Sequence, residues 1–199
     1  MTRIVLATHN QGKVRELRSI LGDLDVAGLD EFPGAPDVPE TELTFEGNAL
    51  LKARAISAFT GLPAVADDSG LCVDALNGMP GVLSARWSGT LGTGDRDAAN
   101  LRLVLDQVAD VPADHRGAAF VCAAVLVVPG GVEHCVEGRL RGSLIHAPRG
   151  TGGFGYDPVF VPDGETRTTA ELTPDEKNAI SHRGKAFRAL SALIPAALS

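Results

Sequence analysis

The chain has 199 residues, 44% of them hydrophobic, enough for one domain or two closely joined lobes around a sizeable core. Its net charge of −7 excludes general affinity for DNA or RNA polymers, which rests on neutralising many phosphates with a basic surface. It leaves room for a single nucleotide, which needs only a few local cations, helix N-termini and a metal ion. No apolar run is long enough to span a membrane, and the N-terminus lacks the long apolar stretch and cleavage site of a signal peptide, so a cytoplasmic protein is expected. The cysteines, Cys72, Cys122 and Cys135, are odd in number and lack CxxC spacing, which argues against a disulfide framework or a zinc site. Their apolar or strand-like surroundings predict buried thiols.

In chain order, residues 3–7 read as a buried strand, followed by the polar turn Thr8-His9-Asn10-Gln11-Gly12. Residues 13–21 read as a helix with Val14, Leu17, Ile20 and Leu21 on one side. Residues 24–29 are expected to form a strand, and residues 30–43, rich in Pro, Asp and Glu, a surface loop. The spacing of Phe45, Ala49, Ala53 and Ile56 predicts a helix over 45–59, on which Asn48 and Lys52 share another face. A short strand at 64–66 should run into Asp67-Asp68-Ser69-Gly70, with strand resuming over 71–76 and a turn at 78–81. A helix is expected over 95–108. Residues 118–128 are nearly all apolar and predict a mid-sheet strand. Residues 132–146 alternate more and read as its partner, with Gly138 and Gly142 suggesting bulges or bends. A glycine-rich loop follows at 149–155, then a short strand at 159–161. Thr173-Pro-Asp-Glu176 has the cap, proline and capping-box glutamate of a helix start, and Ser181 can cap a last helix bearing Ala186, Phe187, Leu190, Leu193 and Ile194. The intermixed strands and helices give an α/β class with a mixed sheet, taken as a single domain over 1–199.

Four stretches have residues suited to chemistry. Thr8-x-Asn10-x-x-Lys13 lies where a strand gives way to a helix, where free N–H groups and the helix dipole favour an anion. Its bland alternative is a helix cap beside a solvated lysine. Asp67-Asp68 places two carboxylates together, which is costly without a cation or donors to offset them. Such oxygens suit Mg²⁺, and one of them can take a proton from water. The competing reading is an acidic turn closed by Gly70.

In the loop 149–157, Gly150, Gly152 and Gly155 satisfy G-x-G-x-x-G. Pro158 and a β-like run follow instead of a helix, which rejects a dinucleotide fingerprint. A wall beside a ligand fits better, with Phe154 either stacking on a base or serving as a core aromatic. Lys177 and Ser181-His182-Arg183 put cations near a helix start, where the dipole disfavours them, so a partner should offset that charge; the bland alternative is a solvated basic face on a terminal helix. No Walker A motif and no G-x-S-x-G elbow occurs.

These stretches, in this order, resemble the inosine triphosphate pyrophosphatase family. The match runs through residues 6–13, 44–49, 66–71, 150–158 and 181–183. The resemblance implies a two-lobed mixed-sheet fold with a cleft between the lobes, Mg²⁺, and a homodimer. It also implies hydrolysis of non-standard purine triphosphates such as ITP, dITP and XTP to the monophosphate and pyrophosphate, cleansing the nucleotide pool. It implies that Thr8, His9, Asn10, Gln11, Gly12 and Lys13 hold the triphosphate, that Lys52 also contacts phosphate, and that Lys13 and Lys52 stabilise the departing pyrophosphate. Asp68 would be both metal ligand and proton acceptor, with Glu40 as a second metal-associated acid. Ser69 would touch the substrate, and Phe154, Gly155, Tyr156, Asp157, Lys177, His182 and Arg183 would surround the base. Relatives commonly carry glycine at the position of His9 and an acid at that of Gly47; here Glu46 lies one residue earlier and faces elsewhere on the helix. Two rival expectations are a pyrophosphatase for altered pyrimidine nucleotides and a nucleotide sensor without catalysis.

Overall fold

The computed structural model describes residues 3–8, 14, 18, 20, 24–89 and 94–198. Six strands, β1 (Ile4–Leu6), β2 (Val26–Ala27), β3 (Ala64–Val73), β4 (Gly117–Val127), β5 (Glu133–Leu144) and β6 (Phe160–Pro162), form among these residues one sheet in the order β2-β1-β3-β4-β5-β6. The ladders β1–β2 and β1–β3 are parallel and β5–β6 is antiparallel, so the sheet is mixed, as the intermixed pattern predicted. The helices are α1 (Phe45–Thr60), α2 (Arg96–Gln107), α3 (Pro174–Ile180), α4 (His182–Ser191) and α5 (Ile194–Ala197). No helix among the described residues is long and apolar enough to cross a membrane.

The chain divides into two compact units, neither of them continuous in sequence. The first comprises residues 1–68, 122–138 and 183–199. Strands β1 and β2, β3 as far as Ala66, and the β4 segment are apolar because both of their faces are covered. Side chains alternate across a strand, so Val5, Ala64, Ala66, Val125 and Val127 pack with Ala49, Ala53 and Ile56 of α1. Ile4, Leu6, Val65, Cys122, Ala124 and Leu126 pack on the other side with Ala186, Phe187 and Leu190 of α4. Thr44 caps α1 by accepting the Gly47 amide (3.0 Å), and Gly61 closes it in the left-handed region at φ 69°. Of the predicted helix at 13–21, only Val14, Arg18 and Ile20 are described, and all three are helical.

The second unit comprises residues 69–121 and 139–182. Leu71, Val73, Ala118, Phe120, Leu140, Leu144 and Phe160 from its strand segments form a core with Leu101 and Val104 of α2. Asp95 caps α2 by accepting the Ala98 amide, and Thr173 and Glu176 form the reciprocal capping box of α3.

Several boundaries differ from the sequence expectation. The strand expected at 24–29 is only Val26–Ala27, because Gly28 and Glu31 instead cap a 3-10 turn over Leu29–Glu31. The interruption expected at 67–70 is absent, and β3 runs through it to Val73. Phe160–Pro162 replaces the strand expected one residue earlier. Cys72 is half-buried and Cys122 buried, but Cys135 is exposed, because it lies on the outward-facing residues of β5. Gly142 serves close approach. It sits opposite Pro162 of β6, and a Cβ there would fall 2.2 Å from the Val161 carbonyl oxygen. Gly142→Ala is expected to cost about 1–3 kcal/mol through this overpacking, read as a lower Tm. An unchanged Tm would mean that β6 yields freely.

Candidate active site

Asp67 and Asp68 follow each other within β3, so the pleat sends their side chains to opposite faces, and each carboxylate meets its own counter-groups. Asp67 is buried, with the Arg183 Nε at 3.4 Å and the Cys122 thiol at 4.0 Å. Arg183 enters α4 at its second residue, and this carboxylate supplies the partner that a cation near a helix start requires.

Asp68 is 6% exposed and faces α1. Asn48 and Lys52 stand one turn apart on that helix and both reach it. The Asn48 amide oxygen accepts the Glu42 N–H (2.9 Å), and its NH₂ donates to Asp68 Oδ2 (3.0 Å). A backbone N–H only donates, so the amide orientation is fixed and Oδ2 is held as an acceptor. Lys52 Nζ lies 3.8 Å from Asp68 Oδ1 and 3.1 Å from Glu40 Oε1, so two carboxylates converge on one ammonium. Burial raises the Asp68 pKa above the usual carboxylate range. Lys52 and the Asn48 hydrogen bond oppose this, while the neighbouring charges of Glu40 and Asp67 add to it. A carboxylate held high in this way is a better proton acceptor than an ordinary one.

No group of three or more His, Cys, Asp or Glu side chains suited to a metal occurs among the described residues. Glu40 and Asp68 form a pair of hard oxygen donors with one lysine between them. This is the sparse donor set that suits Mg²⁺, which keeps waters and substrate phosphates as its other ligands. Thr8 follows β1, and its amide donates to the Leu6 carbonyl. The predicted phosphate residues His9, Asn10, Gln11, Gly12 and Lys13 lie outside the described residues.

In the second unit, Phe154 is 60% exposed, which removes the core-aromatic reading. Lys177 Nζ stands 4.9 Å from its ring centroid and 2.5 Å from Asp157 Oδ2. Asp157 is 3% exposed, and its Oδ2 also accepts the Phe154 N–H (2.8 Å). A Cβ on Gly153 would fall 2.1 Å from that oxygen, so the glycine, at φ 71°, is what lets the loop close on it. Gly155 is pinned by its N–H to Asp97 of α2 (3.0 Å). Tyr156 belongs to the core, and its hydroxyl donates to the Ser84 carbonyl (2.8 Å); burial pushes its pKa up. His182 stacks on Phe120, ring centroids 5.0 Å apart. Ser69, half-buried, is the first residue of this unit on β3.

Asn48 shares the Lys52 face in the sequence, but nothing in its spacing reveals its bond to Asp68. Asp97 and Thr169, which also donates to Asp157, follow no motif and come from distant segments.

A buried carboxylate beside a lysine and a second acid, on an α/β sheet, is an arrangement suited to phosphate-anhydride hydrolysis. The sequence profile of the Ham1 family matches residues 4–193, and the chain belongs to that family. It is 63% identical over 194 residues to a Streptomyces coelicolor protein named dITP/XTP pyrophosphatase, covering 96% of each chain. It is 53% identical to a Mycobacterium tuberculosis protein of the same name, covering 98% of this chain and 95% of that one. Among solved structures, a HAM1 protein from Coxiella burnetii superposes with a TM-score of 0.90 at 42% identity, covering 99% of this chain and 100% of the other. A nucleoside-triphosphatase/dITP/XTP pyrophosphatase from Mycobacterium abscessus gives a TM-score of 0.80 at 55% identity, covering 98% and 100%.

Proposed function

We propose that this chain hydrolyses non-standard purine nucleoside triphosphates, namely ITP, dITP and XTP, to the nucleoside monophosphate and pyrophosphate, and so keeps them out of DNA and RNA. The observation that carries this reading is Asp68, buried and fixed by Asn48, with Lys52 and Glu40 beside it. In this reading Asp68 orients the attacking water and takes its proton. Asp68 and Glu40 hold Mg²⁺, which when bound neutralises charge building on the phosphoryl oxygens. Lys52, with Lys13 from the segment after β1, stabilises the pyrophosphate that leaves. The segment from Thr8 to Lys13 holds the triphosphate, and Ser69 touches the substrate.

Base recognition falls to Phe154, Gly155, Asp157, Lys177, His182 and Arg183, with Tyr156 anchoring the loop from the core. ITP and XTP have an oxo group at C6 where ATP has an amine. The ammonium of Lys177 carries three donors and no acceptor, so after Asp157 it retains capacity to donate to an oxo group, and it has nothing to offer an amine. Leaving such a site mispaired is what discriminates against the wrong base. The enzyme works in the cytoplasm, where free nucleotides are, and as a homodimer, the assembly that the family resemblance implies. A net charge of −7 suits a free nucleotide over a nucleic acid polymer.

The test is a panel of ITP, dITP, XTP, ATP and GTP with and without Mg²⁺, with the products identified. Pyrophosphate is expected from the first three with Mg²⁺ present, and far less from ATP, whose 6-amine mispairs with Lys177, or from GTP, which shares the 6-oxo group and is distinguished at its 2-position. Equal rates on all five, or release of orthophosphate, would remove the assignment.

A further inference from the structure

Behind the glycine-rich loop of the second unit stands a short strut made of Thr168, Thr169 and Ala170. The Ala170 carbonyl accepts the Gly152 N–H (3.0 Å), and the Thr168 hydroxyl donates to the Arg149 carbonyl (2.9 Å). A Cβ on Gly150 would fall 2.6 Å from the Ala170 carbonyl carbon, so loop and strut are in direct backbone contact. The strut is itself tied to β6 by the Thr169 N–H, which donates to the Phe160 carbonyl (2.9 Å).

From this fixed position the Thr169 hydroxyl, buried at 1% exposure, donates to Asp157 Oδ1 (2.8 Å) and lies 3.1 Å from the Asp157 carbonyl oxygen. A carboxylate is planar, so anchoring Oδ1 sets the direction of Oδ2. That second oxygen accepts both the Phe154 N–H and the Lys177 ammonium, and the same ammonium lies over the Phe154 ring. Lysine is a point charge on a flexible four-carbon stem, so its position comes from what holds its head. Asp157 is too buried for solvent to replace the Thr169 donor readily.

We propose that Thr169 is a positioning residue for base discrimination. Acting through Asp157, it sets where the Lys177 ammonium stands relative to the exposed Phe154 ring, and so how sharply the enzyme separates a 6-oxopurine from a 6-aminopurine. This rests on the reading that Lys177 and Phe154 meet the purine.

The test compares Thr169→Val, which trades the hydroxyl for a methyl at nearly constant volume, with Thr169→Ser, which keeps it. In Thr169→Val the ratio of kcat/KM for dITP over dATP is expected to fall about tenfold, the scale of one lost hydrogen bond to a charged group. The change should enter through KM, with kcat for dITP held within about twofold. Thr169→Ser should restore the ratio. Independently of any substrate, the Lys177 ε-methylene protons are expected upfield in the natural chain, because the ammonium lies over the Phe154 ring, and should move toward ordinary lysine positions in Thr169→Val and return in Thr169→Ser. Where valine disturbs the fold, Thr169→Ala reports the same two quantities. An unmoved Lys177 resonance overturns the proposal, whatever happens to Tm. So does unchanged selectivity in a variant whose resonance has moved. A natural chain that does not prefer dITP to dATP, with the resonance behaving as expected, overturns the purine reading and leaves the anchoring of Lys177 established.

Discussion

Asp68→Asn is expected to reduce turnover by about a thousandfold or more, the range for removing a positioned general base, while the protein keeps or gains thermal stability. The sign of the stability effect follows from the raised pKa of this carboxyl, whose first cause is burial. The folded state holds the Asp68 proton more tightly than the unfolded chain does. Stability therefore falls as pH rises from the ordinary carboxylate range through the raised value, and above that window the ionised, buried group is a fixed cost. Asparagine has no charge to bury and can still accept from Asn48, so Tm at neutral pH should equal or exceed that of the natural chain. Normal turnover in the variant would remove Asp68 from the chemistry. A lower Tm would mean that the carboxylate is net stabilising where it sits.

Arg183→Ala should have the opposite signature, a large loss of stability. It takes the guanidinium away from Asp67, a carboxylate that is 3% exposed. Breaking a buried pair from one side costs about 3–5 kcal/mol, which for a chain of this size lowers Tm by about 10 °C. Asp67→Asn in the same background should recover much of that loss, since it removes the stranded charge. A double variant no more stable than Arg183→Ala alone would show that the two side chains are not coupled. This pairing also governs how Arg183 variants are to be read: loss of activity in them includes loss of fold, so Lys177 variants probe base selectivity more cleanly.

The sequence already carried most of this architecture. Apolar runs at residues 3–7 and 118–128 marked buried strands because a strand covered on both faces has no reason to alternate. Thr44, Asp95 and Thr173 sit where capping chemistry requires them. The acidic stretch at 67–70 was less legible. Asp-Ser-Gly is good turn chemistry, and nothing near it in sequence reveals that Lys52 and Arg183 arrive from elsewhere to make a strand tolerable there. Tyr156 was similarly hidden, since its place in the core depends on Leu101, Phe120 and Val159. Asp97 and Thr169 could not be found by spacing at all, because what defines them is a loop they support from behind.

The placing of two consecutive acids on opposite faces of β3 makes this strand unforgiving of frame. β1 aligns Val5 with Ala64 and Leu6 with Val65. Deleting one residue between Ala64 and Asp67 would keep a run of small apolar side chains, so the hydrophobic pattern alone would object only mildly. It would, however, turn both acids over: Asp68 would come to face the arginine, and Ser69 would stand where the lysine and Asn48 hold a carboxylate. A chain that settled one step out of phase would keep its buried arginine paired and lose the acid between Asn48 and Lys52, so alignment errors here surface as lost chemistry.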